Sequence, residues 1–208
     1  LRGHDYELGK RQRSIVTVEH ANAWKYGDNF AFVDFIFPDG KDSAYYIEIS
    51  PRLSLSKMTG KDFSFGIVKD VLISTTFEKG RGQGPQYLYG GAVNLDIPSF
   101  RFLSINAYVH DSTQLDGQTW QSTVAWNSPI KIGNEKFVFE GFSDFQGRED
   151  TSHANQLIVP RFLWDAGNAG GFEANKFFIG MEYQYWHNKF GIRGKTESVP
   201  QLQLKRAL

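Results

Sequence analysis

The chain has 208 residues, with 23 acidic and 23 basic side chains and no formal net charge at pH 7. That balance supplies no field to draw the protein towards nucleic acid or an anionic surface, and the absence of cysteine excludes disulfide scaffolds, thiolate metal sites and cysteine nucleophiles. The 18 Phe, 9 Tyr, 5 Trp and 21 Gly, set against 2 Met, favour strands and turns over helices.

No run approaches the roughly 18–20 apolar residues of a membrane-spanning helix. The opening "LRGHDYELGKRQRS" lacks the apolar core of a signal peptide, so an exported form would be a mature or trimmed one. From there the chain alternates. "LRGHDYEL" (1–8) reads as part of a first strand. "SIVTVEHANAW" (14–24) sets Val16 and Val18 against Thr17 and Glu19. "NFAFVDFIF" (29–37) sets Ala31, Val33, Phe35 and Phe37 against Phe30, Phe32, Asp34 and Ile36. "YYIEISPRLSLS" (45–56) sets Tyr45, Ile47, Ile49, Pro51, Leu53 and Leu55 against Tyr46, Glu48, Ser50, Arg52, Ser54 and Ser56. Further on, "QYLYGGAVNLDI" (86–97), "FLSINAYVH" (102–110), "FVFEGFSDF" (137–145) and "FIGMEYQYW" (178–186) repeat the pattern. Successive strand side chains point to opposite faces, so every segment has one apolar and one mixed polar face. Gly, Asp, Asn and Pro cluster between the runs, from "PDGKD" to "NKFGIRGK", as hairpin connections require. The pattern predicts eleven clear strands plus the partial N-terminal one, with no substantial helix and no internal repeat.

Parity alone leaves open which face is the core. A soluble barrel puts the apolar set inside; a transmembrane barrel puts it outside, in lipid. Three features favour the second. The polar set mixes single charges with aromatics: Glu19, Asp34, Glu48, Arg52, Asp70, Glu140, Asp144, Arg161 and Glu182 stand beside Phe30, Phe32, Tyr108 and Phe142. Trp24, Tyr45, Tyr87, Trp120, Trp126, Trp164 and Trp186 sit towards strand ends, where aromatic girdles meet headgroups. The strands also have the length that a tilted strand needs to cross a bilayer. The expected fold class is all-β, a transmembrane antiparallel up-and-down barrel of about twelve strands in one domain, 1–208; a soluble ligand-binding barrel is the alternative.

The stretch "IEISPRLSLSKMTGKDFSFGIVKDVLISTTFE" (47–78) resembles the signature region of the nucleoside-specific channel-forming porins of bacterial outer membranes. The resemblance rests on Glu48, Pro51, Arg52 and Ser54, then Ser64, Phe65 and Gly66, then Lys69 and Asp70. "VEHANAWKYGDNFAFVD" (18–34), "FEGFSDFQG" (139–147) and "FLWDAG" (162–167) are similar to family segments in the same order. The resemblance implies a twelve-stranded outer-membrane barrel with both termini periplasmic, passing nucleosides and deoxynucleosides, and in some members serving as a receptor for phages and colicins. Two departures bear on closure. The first strand is short, and the chain ends "LQLKRAL" where such barrels usually finish on Phe or Trp, with Arg206 on the lipid-facing parity of Leu202 and Leu204.

With that lumen assigned, a nucleoside needs aromatic faces to stack its base and carboxylates or amides to hydrogen-bond its ribose. Phe30, Phe32 and Asp34 on one strand, Asn106 and Tyr108 on another, and Glu140, Phe142 and Asp144 on a third supply that mixture. Glu48, Arg52, Asp70, Arg161 and Glu182 complete the expected lumen set, and Glu48, Arg52, Glu140, Arg161 and Glu182 are equally placed to brace the barrel as a salt-bridge network. Strict parity sends Lys69 into lipid; a β-bulge near Gly66 would turn it inward beside Asp70. The five histidines lack metal spacing, "GRGQG" (80–84) has no following helix to hold a phosphate, and no Gly-x-Ser-x-Gly element supports a hydrolase. The sequence therefore predicts no cofactor, no metal and no enzymatic centre.

Overall fold

The computed structural model describes residues 1–3 and 12–208. Its strands are β1 (Arg2–Gly3), β2 (Arg13–Trp24), β3 (Gly27–Pro38), β4 (Ala44–Ser54), β5 (Val68–Gly80), β6 (Gln86–Leu95), β7 (Phe102–Ser112), β8 (Thr119–Ile132), β9 (Glu135–Gln146), β10 (Asn155–Asp165), β11 (Phe177–His187) and β12 (Glu197–Arg206). Each pairs antiparallel with its sequence neighbours, and β1 pairs with both β2 and β12, so the sheet closes. The questioned seam is made by Arg2↔Leu202 and Gly3↔Gln201 on one side and by Arg2↔Ser14 and Gly3↔Arg13 on the other. The first strand expected over 1–8 is seen at Arg2–Gly3; the rest of it, residues 4–8, lies outside the described residues.

Alternation fixes which way each side chain points. Val16, Val18, Phe35, Ile49, Ile73, Val109, Met181, Leu202 and Leu204 are all exposed on the outer face, while Ser74, Asn106, Glu182 and Gln201 are buried inside. A soluble barrel would bury the first set and wet the second, so the lipid-facing reading holds and the soluble one falls. Among the described residues no helix is long and apolar enough to cross a membrane; the strands do the crossing. The girdle assignment holds for Tyr45, Tyr87 and Trp120 towards one rim and Trp24 and Trp164 towards the other, all exposed. Trp126 faces outward against Phe139, with ring centroids 5.8 Å apart. Trp186 departs from it: it pairs with Leu157 and Glu197 on the inner face, because β11 turns its even positions inward.

One rim carries the end of β12 and two tight turns, Lys25–Tyr26 and Gly133–Asn134, while Leu1 is hydrogen-bonded to Ile15 near the start of β2. Gly133 has φ 61°, which glycine adopts without a Cβ clash, and so closes the β8–β9 hairpin in two residues. The expected strand through Ser56 stops at Ser54, where α1 (Leu55–Thr59) begins. The Ser54 hydroxyl accepts the Lys57 N–H at 3.0 Å, and Gly60 ends the helix at φ 71°. That cap offers the backbone a partner that alternation does not reveal. The expected bulge also exists, three residues later than Gly66. Val68 and Asp70 pair with the consecutive Leu95 and Asn94, leaving Lys69 as the extra residue. Asp70 turns inward and accepts the Ser56 hydroxyl at 2.9 Å. Lys69 stays exposed at the rim and makes no ion pair with Asp70, contrary to the expected inward turn.

Candidate lumen site

Every residue expected to line the lumen lies on the inner wall, but they sort into groups with different chemistry. The first is an aromatic ladder across β3 and β4. Phe30, Phe32 and Asp34 pair with Ser50, Glu48 and Tyr46 on one side and with Ala21, Glu19 and Thr17 on the other. Ring centroids are 5.8 Å apart for Phe30–Phe32 and 5.7 Å for Phe32–Tyr46, both tilted. Carboxylates flank this ladder. Asp34 accepts the Thr17 hydroxyl at 2.6 Å, and Glu48 accepts the Ser50 hydroxyl at 2.7 Å. Glu78 of β5 and Asp144 of β9 lie close enough to Glu48 to repel it, and the Tyr46 phenol stands beside Glu78. Asp144 accepts the Thr123 hydroxyl at 2.6 Å. None of these four carboxylates makes an ion pair with a described residue, so their oxygens keep acceptor capacity towards the lumen.

The second group is ionic. Arg161 of β10 donates from Nε to Glu182 at 2.6 Å and from Nη1 to Glu19 at 2.9 Å, with Glu140 at 3.9 Å. Lys205 of β12 meets Glu140 at 2.5 Å and Glu19 at 3.6 Å. Gln201 donates to Glu182 and Asn127 to Glu140, each at 2.9 Å. The expected network of Glu48, Arg52, Glu140, Arg161 and Glu182 therefore divides. Glu140, Arg161 and Glu182 join, but Glu48 belongs with the ladder. Arg52 takes Asp28 in a two-pronged contact at 2.7 and 3.0 Å, with Asn94 at 3.4 Å, leaving Glu48 unpaired on the same strand face.

The third group is sealed. Ser74 donates to Asn106 at 3.1 Å and shares a 2.8 Å hydrogen bond with the Tyr108 phenol, and all three are buried. Asn106 and Tyr108 thus form wall rather than open surface. Phe142 stands on β9 between Glu140 and Asp144, opposite Val159 and Ala125.

Sequence reasoning missed part of the interior. Leu72, Leu88, Val159, Leu163 and Val199 face inward and are buried, and Val138, Leu163 and Phe178 form an apolar cluster near the rim where β12 ends. β10, "NQLIVPRFLWD", is apolar on both parities from Leu157 to Trp164 apart from Arg161, so alternation had little to separate. Glu78 and Asp28 were legible, since they share parity with Asp70 and Phe30, and Lys205 was legible as the parity opposite Leu202, Leu204 and Arg206. Glu149, which reaches His110 from a connection, had no periodic signal at all.

A closed antiparallel barrel with an apolar exterior, aromatic residues towards both rims and a polar, aromatic interior is a membrane-spanning barrel of the outer-membrane type. Within that class the chain belongs to the family described as "Nucleoside-specific channel-forming protein, Tsx", whose model matches residues 2–205. It is 26% identical over 159 residues to "Outer membrane protein OmpK" of Vibrio parahaemolyticus, a match covering 74% of this chain and 58% of that protein. It is 25% identical over 166 residues to "Nucleoside-specific channel-forming protein Tsx" of Salmonella typhimurium, covering 73% of this chain and 53% of that one. The chain thus spans between half and three-fifths of the length of these relatives. It is an outer-membrane protein.

Proposed function

We propose that the barrel is a passive channel selective for nucleosides and deoxynucleosides, with the β3–β4 wall as its recognition surface. The observation that carries this reading is the ladder Phe30–Phe32–Tyr46 beside the unpaired carboxylates Asp34 and Glu48. Aromatic rings offer a flat base a stacking face whatever its sequence of ring atoms. Carboxyl oxygens accept hydrogen bonds, which suits the hydroxyls of a neutral ribose, and where ionised they disfavour a phosphate. Both chain ends would face the periplasm, the outer face would meet membrane lipid, and the connections of the opposite rim would be where a phage or colicin makes contact.

Planar-bilayer recording of the purified protein tests the reading. The expected result is a small conductance that adenosine or thymidine reduces by occupying the pore; conductance indifferent to both would overturn it. A second reading, a surface receptor with a closed interior, draws support from the buried inward side chains Leu72, Leu88, Leu163 and Val199. It predicts a folded protein that conducts nothing.

A further inference from the structure

At the rim opposite the end of β12, two connections fold into the mouth instead of standing clear of it. The first, 147–154, joins β9 to β10. Its Glu149 reaches past β8 to β7, accepting the Ser112 N–H at 3.1 Å and meeting His110 Nδ1 at 2.8 Å. His110 faces the interior and is 1% exposed, and Glu149 is 2% exposed. Gln86 holds the other His110 nitrogen at 2.8 Å, so the ring is fixed from both sides. The second connection, 188–196, joins β11 to β12. It is bonded to the first by His153 N–H to the Gly191 carbonyl and by the Asn188 amide to the Ala154 carbonyl, both 2.9 Å. Its Lys189 is 3% exposed, ion-paired with Glu197, and lies 4.7 Å over the Trp186 ring.

The two connections form one continuous strap from β7 to β12, about half the ring of strands. Burying charges costs free energy unless they are held together. Those of Glu149 and Lys189 are spent on fixing connections, which in most proteins are the most mobile parts. Phe190 sits in the same strap at φ 56°, a conformation that side-chain-bearing residues adopt only when their surroundings hold them there. We infer that this strap is a mouth filter separate from the aromatic wall, and that Glu149 is the positioning residue whose anchor sets the size of solute that enters. The inference rests on the channel reading above, but not on the nucleoside as its solute.

Three variants separate the filter from the wall. Glu149→Ala removes one anchor. Gly191→Ala attacks the other, since a Cβ there would come within 1.8 Å of the Ser152 hydroxyl oxygen at a φ of 69°. Asp116→Ala, in the exposed β7–β8 connection, is the control. Heat-modifiable mobility verifies that each folds, and tryptic cleavage after Arg148 reports release of the strap. Because the strap spans half the ring, Glu149→Ala and Gly191→Ala should raise single-channel conductance about twofold and admit larger polyethylene glycols, with Asp116→Ala unchanged. Glu149→Gln, which keeps an acceptor for the Ser112 N–H, should fall between. A released strap with unchanged conductance and polymer exclusion overturns the filter, and cleavage no faster than in the parent overturns Glu149 as its anchor. Neither readout needs a nucleoside, so a channel indifferent to nucleosides refutes the proposed function while leaving this result to stand on its own.

Discussion

Phe32 is the residue on which the substrate reading turns. It shares the inner face with Asp34 by parity, stands between Glu19 and Glu48 across the sheet, and touches both Phe30 and Tyr46. Phe32→Ala should weaken nucleoside block by about 1–3 kcal/mol, the worth of one stacking partner, and leave the barrel folded. Phe35→Ala is the matched control. Phe35 is exposed on the outer face, so its loss removes lipid-facing area and leaves block unchanged. Titration of block with adenosine in planar bilayers measures both, and the opposite pattern would invert the inner and outer assignments. At this scale the sequence was a good guide to direction and a poor one to partnership. Parity placed Glu48 and Arg52 on one face correctly. It had no means to reveal that Arg52 closes on Asp28, because that choice depends on which side chain of β3 stands opposite, which is a matter of register.

For a strand, one residue more or less decides which side chains meet lipid. Lys69 is already surplus to the β5–β6 ladder, since Val68 and Asp70 pair with adjacent residues of β6. Deleting Lys69 should therefore mend the ladder and leave every downstream side chain on its present face. Deleting Ile73, four residues on, should drive Leu72 and Ser74 out of register with the interior, a change no small repacking absorbs. The contrast is read by heat-modifiable migration: the first variant assembles, the second does not. Strand order and number, and facing in most strands, were legible in the sequence because a two-residue period repeats in nearly every segment; β10 and Trp186 are the exceptions. The short helix after Ser54 and the inward course of 147–154 were not. Both are set by single side chains satisfying particular backbone groups, and a lone hydrogen bond leaves no period behind.

The molecule as a whole has no net charge, yet among the described residues its inner wall carries more carboxyl groups than cations. Adenosine should pass or block more readily than AMP, whose phosphate would meet the carboxyl groups of Asp34, Glu48, Glu78 and Asp144. Equal uptake of the two by reconstituted vesicles would contradict both the wall and the solute class. The cations that do face inward are engaged elsewhere, and their position has a consequence for the wall itself. Arg161 and Lys205 belong to β10 and β12, Glu19 to β2, and the ions between them cross the line where the first and last strands of the chain meet. They act as a cross-brace on the hoop, facing the interior of the barrel and not the lipid. Backbone hydrogen bonds in lipid are shielded from the medium, but this brace is not: salt entering the pore screens it directly. Whatever fills the bore, whether electrolyte or a guest with polar groups of its own, therefore competes for the ions that help hold the cylinder shut.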